Sequence, residues 1–231
     1  MHANTTLTSQ HGSIDDDNKS PLHDISNIKG FKIACININS LHKHIDEIRY
    51  MLMSGPLEVL AVNESKLDNT ITDGEIHIPG YVITRKDRSR HGGGVALYIK
   101  ENISFTVRHD LAPARLEIIC LEINLPYNRS FLVSTWYRPP SANINLFEDY
   151  AKFLEKCDNT NKQLIVLGDM NCDYFKNPPE LHTQKLQFLS SIYQLQQMIS
   201  EPTRVTNTSR TLIDLIFTNE SHNIAKSGVI H

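Results

Sequence analysis

Short apolar runs of strand length recur along this chain, and polar side chains directly follow several of them. Runs of about four to eight residues that are rich in β-branched and aromatic side chains predict buried strands. The glycine, proline and asparagine residues that bound these runs predict the turns between them. The predicted strands are 31–38, 57–62, 80–83, 95–99, 105–107, 116–123, 131–136, 164–167 and 212–217.

Apolar residues at helical spacing predict three helices among these strands. The helices fall within 41–52, 147–154 and 186–193, and Gly55-Pro56 ends the first of them. Strands and helices alternate at both ends of the chain, whereas its middle is rich in strands. This order favours an α/β fold in which layers form a sandwich, rather than one parallel sheet.

The chain has 231 residues, a length that suits one large domain or two small ones. Hydrophobic residues make up 40% and charged residues 21%, which is an ordinary globular balance. Residues 1–29 differ, because they are polar, lack periodicity and include the run Asp15-Asp16-Asp17. We therefore expect a disordered polar tail over 1–29 and a single domain over 30–231.

Several classes of protein are disfavoured by the composition. No run of about 18 apolar residues occurs, so we expect no membrane span, and the N-terminus lacks the apolar core of a secretory signal. The four cysteines show neither CxxC nor zinc-type spacing, which predicts buried free thiols in a reducing compartment. We expect a monomer in the nucleus or cytoplasm that needs no small-molecule cofactor.

Polar side chains that could carry chemistry lie at or near predicted strand ends, where a sheet holds them rigidly and open α/β sheets bind ligands. Taken singly, each is equally well explained by turn chemistry. One carboxyl lies inside the last apolar run, where burial requires a partner, and its alternative role is a structural hydrogen bond to a loop. The set is Asn37, Asn39, Glu64, Tyr137, Arg138, Asp169, Asn171 and Asp214, the last being the carboxyl inside the run.

Together these side chains suit the cleavage of a phosphodiester. That reaction needs a hard cation to neutralise the phosphate oxygens, and Glu64 can supply the carboxylate that magnesium prefers. It also needs an oriented water, for which Asp169 is a candidate base. Donors toward the developing negative charge can come from Asn37, Tyr137 and Asn171.

The segments that contain these residues occur in the order of a known family. The chain resembles the exonuclease–endonuclease–phosphatase superfamily, and within it the endonucleases of non-LTR retrotransposons of the jockey or CR1 type. The triple glycine and the Tyr-Arg-Pro-Pro form are more similar to retrotransposon endonucleases than to repair enzymes. The matching segments are 36–41, 63–67, 92–98, 137–140, 168–171 and 211–214.

The resemblance implies a four-layered α/β sandwich of the DNase I-like type that cleaves DNA. It implies a Mg²⁺ ion, or Mn²⁺ in its place, at Glu64, with Asn37 and Asn39 helping to build the metal and phosphate site. Tyr137 would contact the phosphate. Asp169 would orient or deprotonate the attacking water with Asn171 beside it, and Asp214 would orient a catalytic histidine.

The chain departs from the family pattern at two places. Asn39 stands where repair relatives often carry Asp, which removes one charge and leaves Glu64 as the chief metal ligand. The family's Ser-Asp-His motif and a last core strand follow the Asp214 segment, whereas this sequence ends at Gly228-Val229-Ile230-His231. We do not take His231 for the catalytic histidine, and expect a C-terminally truncated domain with weak or no activity.

A basic loop precedes the triple glycine and is the candidate DNA contact in a chain of net charge -3. Its four cationic side chains surround one Asp87, a net of +3 with His91 neutral, and such a loop could track phosphates together with Arg138. The alternative is a solvated surface loop, in which the glycines form a tight turn. The four cations are Arg85, Lys86, Arg88 and Arg90.

Two other functions remain open at this stage. The first is a catalytically dead remnant or nucleic-acid-binding module of the same fold, which the absent Ser-Asp-His motif favours. The second is a phosphatase or phospholipase of the same superfamily acting on inositol phosphates or sphingomyelin. The basic loop and the segment Gly92–Tyr98 argue against the second by resemblance only.

Overall fold

A computed structural model describes residues 3–4 and 23–230 of the chain, and in it two β-sheets face each other between outer helices. The helices are α1 (His23–Ser26), α2 (Ile45–Ser54), α3 (Leu146–Asp158) and α4 (Leu181–Ile192), with 3₁₀ turns at His42–His44 and Ser221–Asn223. The strands are β1 (Ala3–Asn4), β2 (Phe31–Asn37), β3 (Val59–Asn63), β4 (Tyr81–Lys86), β5 (Val95–Lys100), β6 (Ser104–Val107), β7 (Glu117–Asn124), β8 (Phe131–Tyr137), β9 (Leu164–Asp169), β10 (Gln196–Gln197), β11 (Arg204–Val205), β12 (Arg210–Thr211) and β13 (Asp214–Thr218).

The two large sheets are both mixed. The five-stranded sheet has the order β1-β2-β3-β5-β4, with β2 and β3 parallel. The six-stranded sheet has the order β10-β13-β9-β8-β7-β6, with β8 and β9 parallel. Strands β11 and β12 form a separate hairpin. Each sheet thus has a parallel pair at its centre, whose carboxyl ends lie at one edge.

Alternation along the central strands explains the layering. In β2, Ile33 and Cys35 enter the core between the sheets, whereas Ala34 and Ile36 point into a second core that includes Ile48 of α2. Successive side chains of a strand point to opposite faces, so a strand buried on both faces reads as one apolar run. This is why the sequence pattern predicted buried strands here.

The outer face of the six-stranded sheet is covered by α3 and α4. Trp136 of β8 stacks on Tyr150 of α3 with ring centroids 3.9 Å apart, and Phe147 meets it edge-on at 6.0 Å. Leu186 and Leu189 of α4 belong to the same core. With α2 outside the other sheet, the molecule has helix, sheet, sheet and helix layers, and the predicted four-layered α/β sandwich is confirmed.

The last predicted strand begins two residues later than the apolar run suggested. β13 starts at Asp214, and the backbone N–H groups of Leu212 and Ile213 donate to the Asp173 carboxyl and the Thr203 hydroxyl at 3.0 and 3.2 Å. The N–H groups of these two residues are therefore bonded to loop side chains and not to a neighbouring strand. The two-residue strands β10 to β12 were not predicted, since so short a strand carries no periodicity.

Most of the predicted N-terminal tail, residues 5–22, lies outside the described residues. The two ends of the tail belong to the fold. Ala3–Asn4 pairs in parallel with Phe31–Lys32, and Ile25 of α1 is 3% exposed in the core beneath α2. A single apolar residue in a polar stretch can dock in this way, but one residue is too short a pattern to predict a helix from the sequence.

The cysteines and the helices of the described residues bear on two further predictions, free thiols and the absence of a membrane span. All four cysteines, Cys35, Cys120, Cys157 and Cys172, are buried and free, as predicted. Within residues 3–4 and 23–230, no helix is both long enough and apolar enough to cross a membrane.

Candidate active site

The candidate residues come from strand ends of both sheets. Asn37 and Asn63 end β2 and β3, whereas Tyr137 and Asp169 end β8 and β9. The two sheets pack so that β2 lies against β9. Because parallel neighbours end at the same edge, the polar ends of both pairs meet over one end of the inter-sheet core.

The Asn37 side chain joins the two sheets at this end. Its Nδ2 donates to Asp169 Oδ2 at 2.8 Å and to Glu64 Oε1 at 3.2 Å, and its Oδ1 accepts from the Asn39 N–H at 3.2 Å. One neutral amide thus uses both of its N–H groups on two carboxyl groups. Residues that are far apart in the sequence, Glu64 and Asp169, are held on either side of it.

Glu64 lies at the mouth of the site with its side chain 23% exposed. Its Oε1 also accepts from the Tyr137 hydroxyl at 3.3 Å, and its Oε2 lies 3.6 Å from the Lys66 ammonium. Lys66 donates as well to Asn39 Oδ1. Polar contacts from β2, β8 and the segment after β3 therefore fix the orientation of this carboxylate.

Four residues of the site have left-handed backbone conformations without being glycine. Their φ values are 52° at Asn39, 50° at Glu64, 50° at Lys66 and 46° at Asn171. Such conformations cost free energy and persist where surrounding contacts over-determine them, most often at functional sites. Here they turn the chain sharply after β2, β3 and β9, which points these side chains back over the strand ends.

Asp169 and Asp214 form a pair of buried carboxyl groups. They are direct neighbours in the antiparallel register of β9 and β13, and are 4% and 6% exposed. Burial raises the pKa of both; the Asp214 charge further raises the pKa of Asp169, which Asn37 and the Asn171 N–H oppose by donating to it. Without a cation, one proton is favoured on this pair at neutral pH.

One oxygen of Asp214 has no partner. The Thr203 hydroxyl lowers the pKa of Asp214 through a hydrogen bond, but Oδ1 is buried and makes no hydrogen bond with the described part of the chain. A buried carboxyl oxygen without a donor is costly. The atom therefore marks a place for a donor, and among residues 23–230 no histidine fills it.

Asn63 is a site residue that the sequence reasoning missed. It is fully buried, its Oδ1 accepts the Asp169 N–H at 2.7 Å, and its Nδ2 donates to Thr135 Oγ1 of β8 at 3.0 Å. The bond to Asp169 ties the segment that carries Glu64 directly to the backbone of the other carboxylate. An apolar strand that ends in an asparagine directly before Glu64 was the available signal.

Asn171 and Arg138 support the loop after β9. The Asn171 N–H donates to Asp169 Oδ1 at 3.0 Å, and its Nδ2 donates to the Arg138 carbonyl at 2.9 Å. Arg138 is 1% exposed, and its guanidinium donates to the carbonyls of Met170, Asn171 and Ala142. The DNA contact of Arg138 stays a prediction, and in this structure its charge is buried and engaged by carbonyls.

Tyr137 lies between the carboxylates and the basic loop. Burial, followed by the charge of Glu64, raises the pKa of the Tyr137 phenol, so the hydroxyl stays a neutral donor. The Arg88 guanidinium lies over the Tyr137 ring at 5.8 Å and donates to Glu117 Oε1 at 2.7 Å. Arg88 is thus the member of the basic loop that reaches the site.

The other cations of the basic loop differ in their surroundings. Arg85 is held by Asp87, Asp73 and two backbone carbonyls, and its side chain is only 15% exposed. Lys86 is partly buried with its ammonium 3.4 Å from the Pro113 carbonyl. Arg90 is exposed. Of the four cations of the basic loop, Arg85 is therefore paired and mostly buried, Lys86 is partly buried, Arg88 is paired but exposed, and Arg90 is exposed.

The donor set fits a hard divalent cation. Glu64 offers one carboxylate, and the side-chain oxygens of Asn37 and Asn39 lie beside it. Magnesium is commonly held by one or two carboxylates together with waters. In the described chain, no three His, Cys, Asp or Glu side chains converge as a closed metal cage. The residues therefore fit an open magnesium-type site and not a structural zinc site.

Solved structures with a similar fold are named for different nuclease activities. An AP endonuclease from Archaeoglobus fulgidus matches with 18% identity and a TM-score of 0.64 over 84% of this chain and 88% of that one. The endonuclease domain of TRAS1, a telomere-specific non-LTR retrotransposon, matches with 12% identity and a TM-score of 0.63 over 83% and 86%. A 3′-5′ exonuclease from Neisseria meningitidis matches with 17% identity and a TM-score of 0.60 over 83% and 88%.

The comparison with family models covers the whole region that carries the site. Curated protein sequences give no match. The model of the endonuclease/exonuclease/phosphatase family matches residues 34–231, which include every candidate catalytic and metal-binding residue. This chain belongs to the endonuclease/exonuclease/phosphatase family.

Proposed function

We propose that this chain is a divalent-metal-dependent phosphodiesterase that nicks DNA, as the endonuclease domain of a non-LTR retrotransposon does. The observation that carries the proposal is the Asn37 amide, which joins Glu64 and Asp169 across the two sheets next to Tyr137. A carboxylate that could bind a cation and a buried carboxyl that could act as a base are thereby held on either side of one amide. This is the arrangement that an in-line attack on a phosphodiester requires.

Glu64 would hold Mg²⁺ or Mn²⁺ together with an Asn37 or Asn39 oxygen. A divalent cation there would neutralise the charge on the phosphate oxygens and on the leaving oxygen. The Tyr137 hydroxyl donates its single proton to Glu64 and so orients that carboxylate, and it would have to turn away from Glu64 to donate to a phosphate oxygen. The side-chain amide oxygen of Asn39 would add an oxygen ligand without adding a second negative charge.

Asp169 would accept the proton of the attacking water. Its raised pKa makes it a stronger base than an ordinary carboxylate, provided that it is ionised in the complex. Positive charge near Glu64 lowers the pKa of Asp169 and so favours the ionised form. Asn37 and Asn171, which both donate to Asp169, hold its two oxygens in fixed directions.

Asn171 would supply a neutral donor for the charge that develops on the phosphate, and Tyr137 would supply another once its hydroxyl leaves Glu64. Asn171 retains one N–H of its side-chain amide beyond the bond to the Arg138 carbonyl. Removal of one such donor costs on the order of 100- to 1,000-fold in rate in comparable sites. Asp214 would orient a further donor, a histidine, through its unpartnered Oδ1.

DNA is the substrate that the comparisons and the basic loop together favour. The similar structures include an AP endonuclease and a retrotransposon endonuclease domain, and another is a 3′ phosphatase from Neisseria bound to a product DNA hairpin. Arg90 places exposed positive charge on the basic loop, and Arg88, which is paired with Glu117, lies beside Tyr137.

Substrate choice tests the proposal against a phosphatase or phospholipase of the same fold. The chain is incubated with Mg²⁺ and either supercoiled plasmid or a soluble phosphoinositide, and nicked circles and released phosphate are measured. We expect nicked circles with 3′-hydroxyl ends and no phosphate release. Phosphate release from the phosphoinositide without plasmid nicking would contradict the proposal.

A second candidate is a DNA-binding module of the same fold with little or no turnover. The observation in its favour is the buried Asp214 oxygen, which lacks a histidine partner among the described residues. This candidate predicts plasmid binding in a gel-shift assay and no nicking in Mg²⁺, even with enzyme in excess. The nuclease proposal predicts slow nicking under those conditions, accelerated when a segment carrying Ser-Asp-His is appended.

A further inference from the structure

The side chain of Lys66 occupies the position between the two proposed metal ligands. Its ammonium donates to Asn39 Oδ1 and lies 3.6 Å from Glu64 Oε2. The proposed function assigns the divalent cation to Glu64 together with an Asn37 or Asn39 oxygen, so the inference rests on that proposal with Asn39 as the second ligand. A positively charged group of the chain itself thus lies where the cation is required.

Glu64 has a single oxygen available on this side. Oε1 already accepts from Asn37 Nδ2 and from the Tyr137 hydroxyl, at 3.2 and 3.3 Å. Oε2, which faces Lys66, is therefore the oxygen that a cation would use. A cation that bound Oε2 and Asn39 Oδ1 together would lie beside the ammonium.

Lys66 is held in this position by its backbone. Its N–H donates to the Gly93 carbonyl at 2.9 Å, and the neighbouring Ser65 N–H donates to the Gly94 carbonyl at 3.1 Å. Its φ of 50° turns the chain back toward Glu64, and the side chain is only 21% exposed. A lysine on an ordinary surface extends its ammonium into water, whereas this one returns to the site.

The charges at the site favour this contact. Asn39 is neutral, so Glu64 and Lys66 form a balanced pair of one negative and one positive charge. A divalent ion at the same oxygens would be repelled by the ammonium. We propose that Lys66 is an internal competitor for the divalent cation, which binds only when the ammonium leaves Glu64 and Asn39.

The test is Mn²⁺ binding without DNA, measured by electron paramagnetic resonance and by calorimetry. Wild type is compared with Lys66→Met and Lys66→Gln, each with and without Glu64→Gln, and with Lys43→Met as a control that removes an exposed charge nearby. We expect either Lys66 variant to lower the Kd for Mn²⁺ by about tenfold or more, as one lost ion-pair contact implies. Lys43→Met should leave the Kd unchanged, and circular dichroism checks the fold of each variant.

The Glu64→Gln arms separate the inference from the proposed function. If wild type binds Mn²⁺ in a Glu64-dependent way and both folded Lys66 variants bind it equally or more weakly, the competitor role is wrong and the metal site stands. If Glu64→Gln changes Mn²⁺ binding in neither background, the metal site itself is wrong, and the inference with it. Tighter binding in the Lys66 variants that Glu64→Gln abolishes supports both.

Discussion

At the scale of single residues, the site depends on neutral donors that keep carboxyl groups apart. Asn37 lies between Glu64 and Asp169, and Asn63 Oδ1 accepts a hydrogen bond from the Asp169 N–H. The sequence predicted Asn37 from its place after a strand but missed Asn63. Both asparagines look like turn residues in the sequence, and only the packing of the two sheets shows which carboxyl each of them contacts.

Replacing the Asn37 donor by an acceptor should therefore destabilise the fold more than removing the donor. In Asn37→Asp, an oxygen replaces Nδ2 and three carboxyl groups face one another, whereas Asn37→Ala only loses the hydrogen bonds. We expect Asn37→Asp to unfold more easily than Asn37→Ala by about 1–3 kcal/mol in metal-free urea titrations at pH 8. Asn143→Asp on the exposed surface should change little; equal stability of the two Asn37 variants would contradict this explanation.

The buried pair of Asp169 and Asp214 predicts a pH dependence of stability. Burial raises the pKa of Asp214 in the folded state above its unfolded value of about 4. A raised carboxyl pKa means that the folded state binds more protons, so stability is highest below the unfolded pKa and falls as pH rises toward and through the folded pKa. Asp214→Asn removes one ionisable member of the pair.

With EDTA present, we expect Asp214→Asn to gain stability over wild type progressively between about pH 4 and pH 8. Urea titrations across this range, with Asp158→Asn as an exposed acidic control, measure the difference. A difference in unfolding free energy that stays constant with pH would mean that Asp214 titrates normally in the folded protein.

At the scale of elements, β9 brings Asp169 to the site through one glycine. Gly168 has a φ of 153°, and a Cβ there would lie 1.9 Å from the Trp136 carbonyl oxygen of β8. Neither strand can shift easily, because Trp136 is packed under α3. Only glycine allows this close approach of two backbones immediately before a catalytic candidate.

Gly168→Ala should therefore separate β8 from β9 and displace Asp169. We expect a loss of about 3 kcal/mol or more in unfolding free energy, because backbone on both sides of the contact must move. Gly74→Ala is the matched control, since the nearest atom to its added Cβ would be 3.8 Å away. The midpoints of thermal unfolding of the two variants are compared, and similar midpoints would show that the backbones of β8 and β9 do not require glycine at residue 168.

The basic loop gives a prediction for DNA binding that distinguishes its members. Arg90 is exposed, whereas Arg85 is engaged by Asp73 and Asp87. If the loop contacts phosphates, Arg90→Ala should reduce the slope of log Kd against log salt concentration by about one unit. Arg85→Ala should lower stability and leave the slope nearly unchanged, and the reverse pattern would assign the DNA contact to Arg85.

At the scale of the whole molecule, sequence patterns located most strands and helices but did not show which of them pack against each other. Apolar runs and helical spacing predicted β2 to β9 and α2 to α4 closely, because strands buried on both faces carry a clear signal. They could not show that Asp214 pairs with Asp169 or that β2 lies against β9, since these contacts join distant segments. Lys66 escaped notice because lysines usually indicate solvated surface.

The central claim is that Glu64 and Asp169 act together on one phosphodiester. The most direct measurement is single-turnover nicking of supercoiled plasmid by wild type, Glu64→Gln, Asp169→Asn and the exposed control Glu101→Gln, each with Mg²⁺ or with EDTA. We expect slow Mg²⁺-dependent nicking by wild type and Glu101→Gln, reduced about 100-fold or more in the two site variants. Nicking at one rate in all four proteins, or unchanged by EDTA, would contradict this claim.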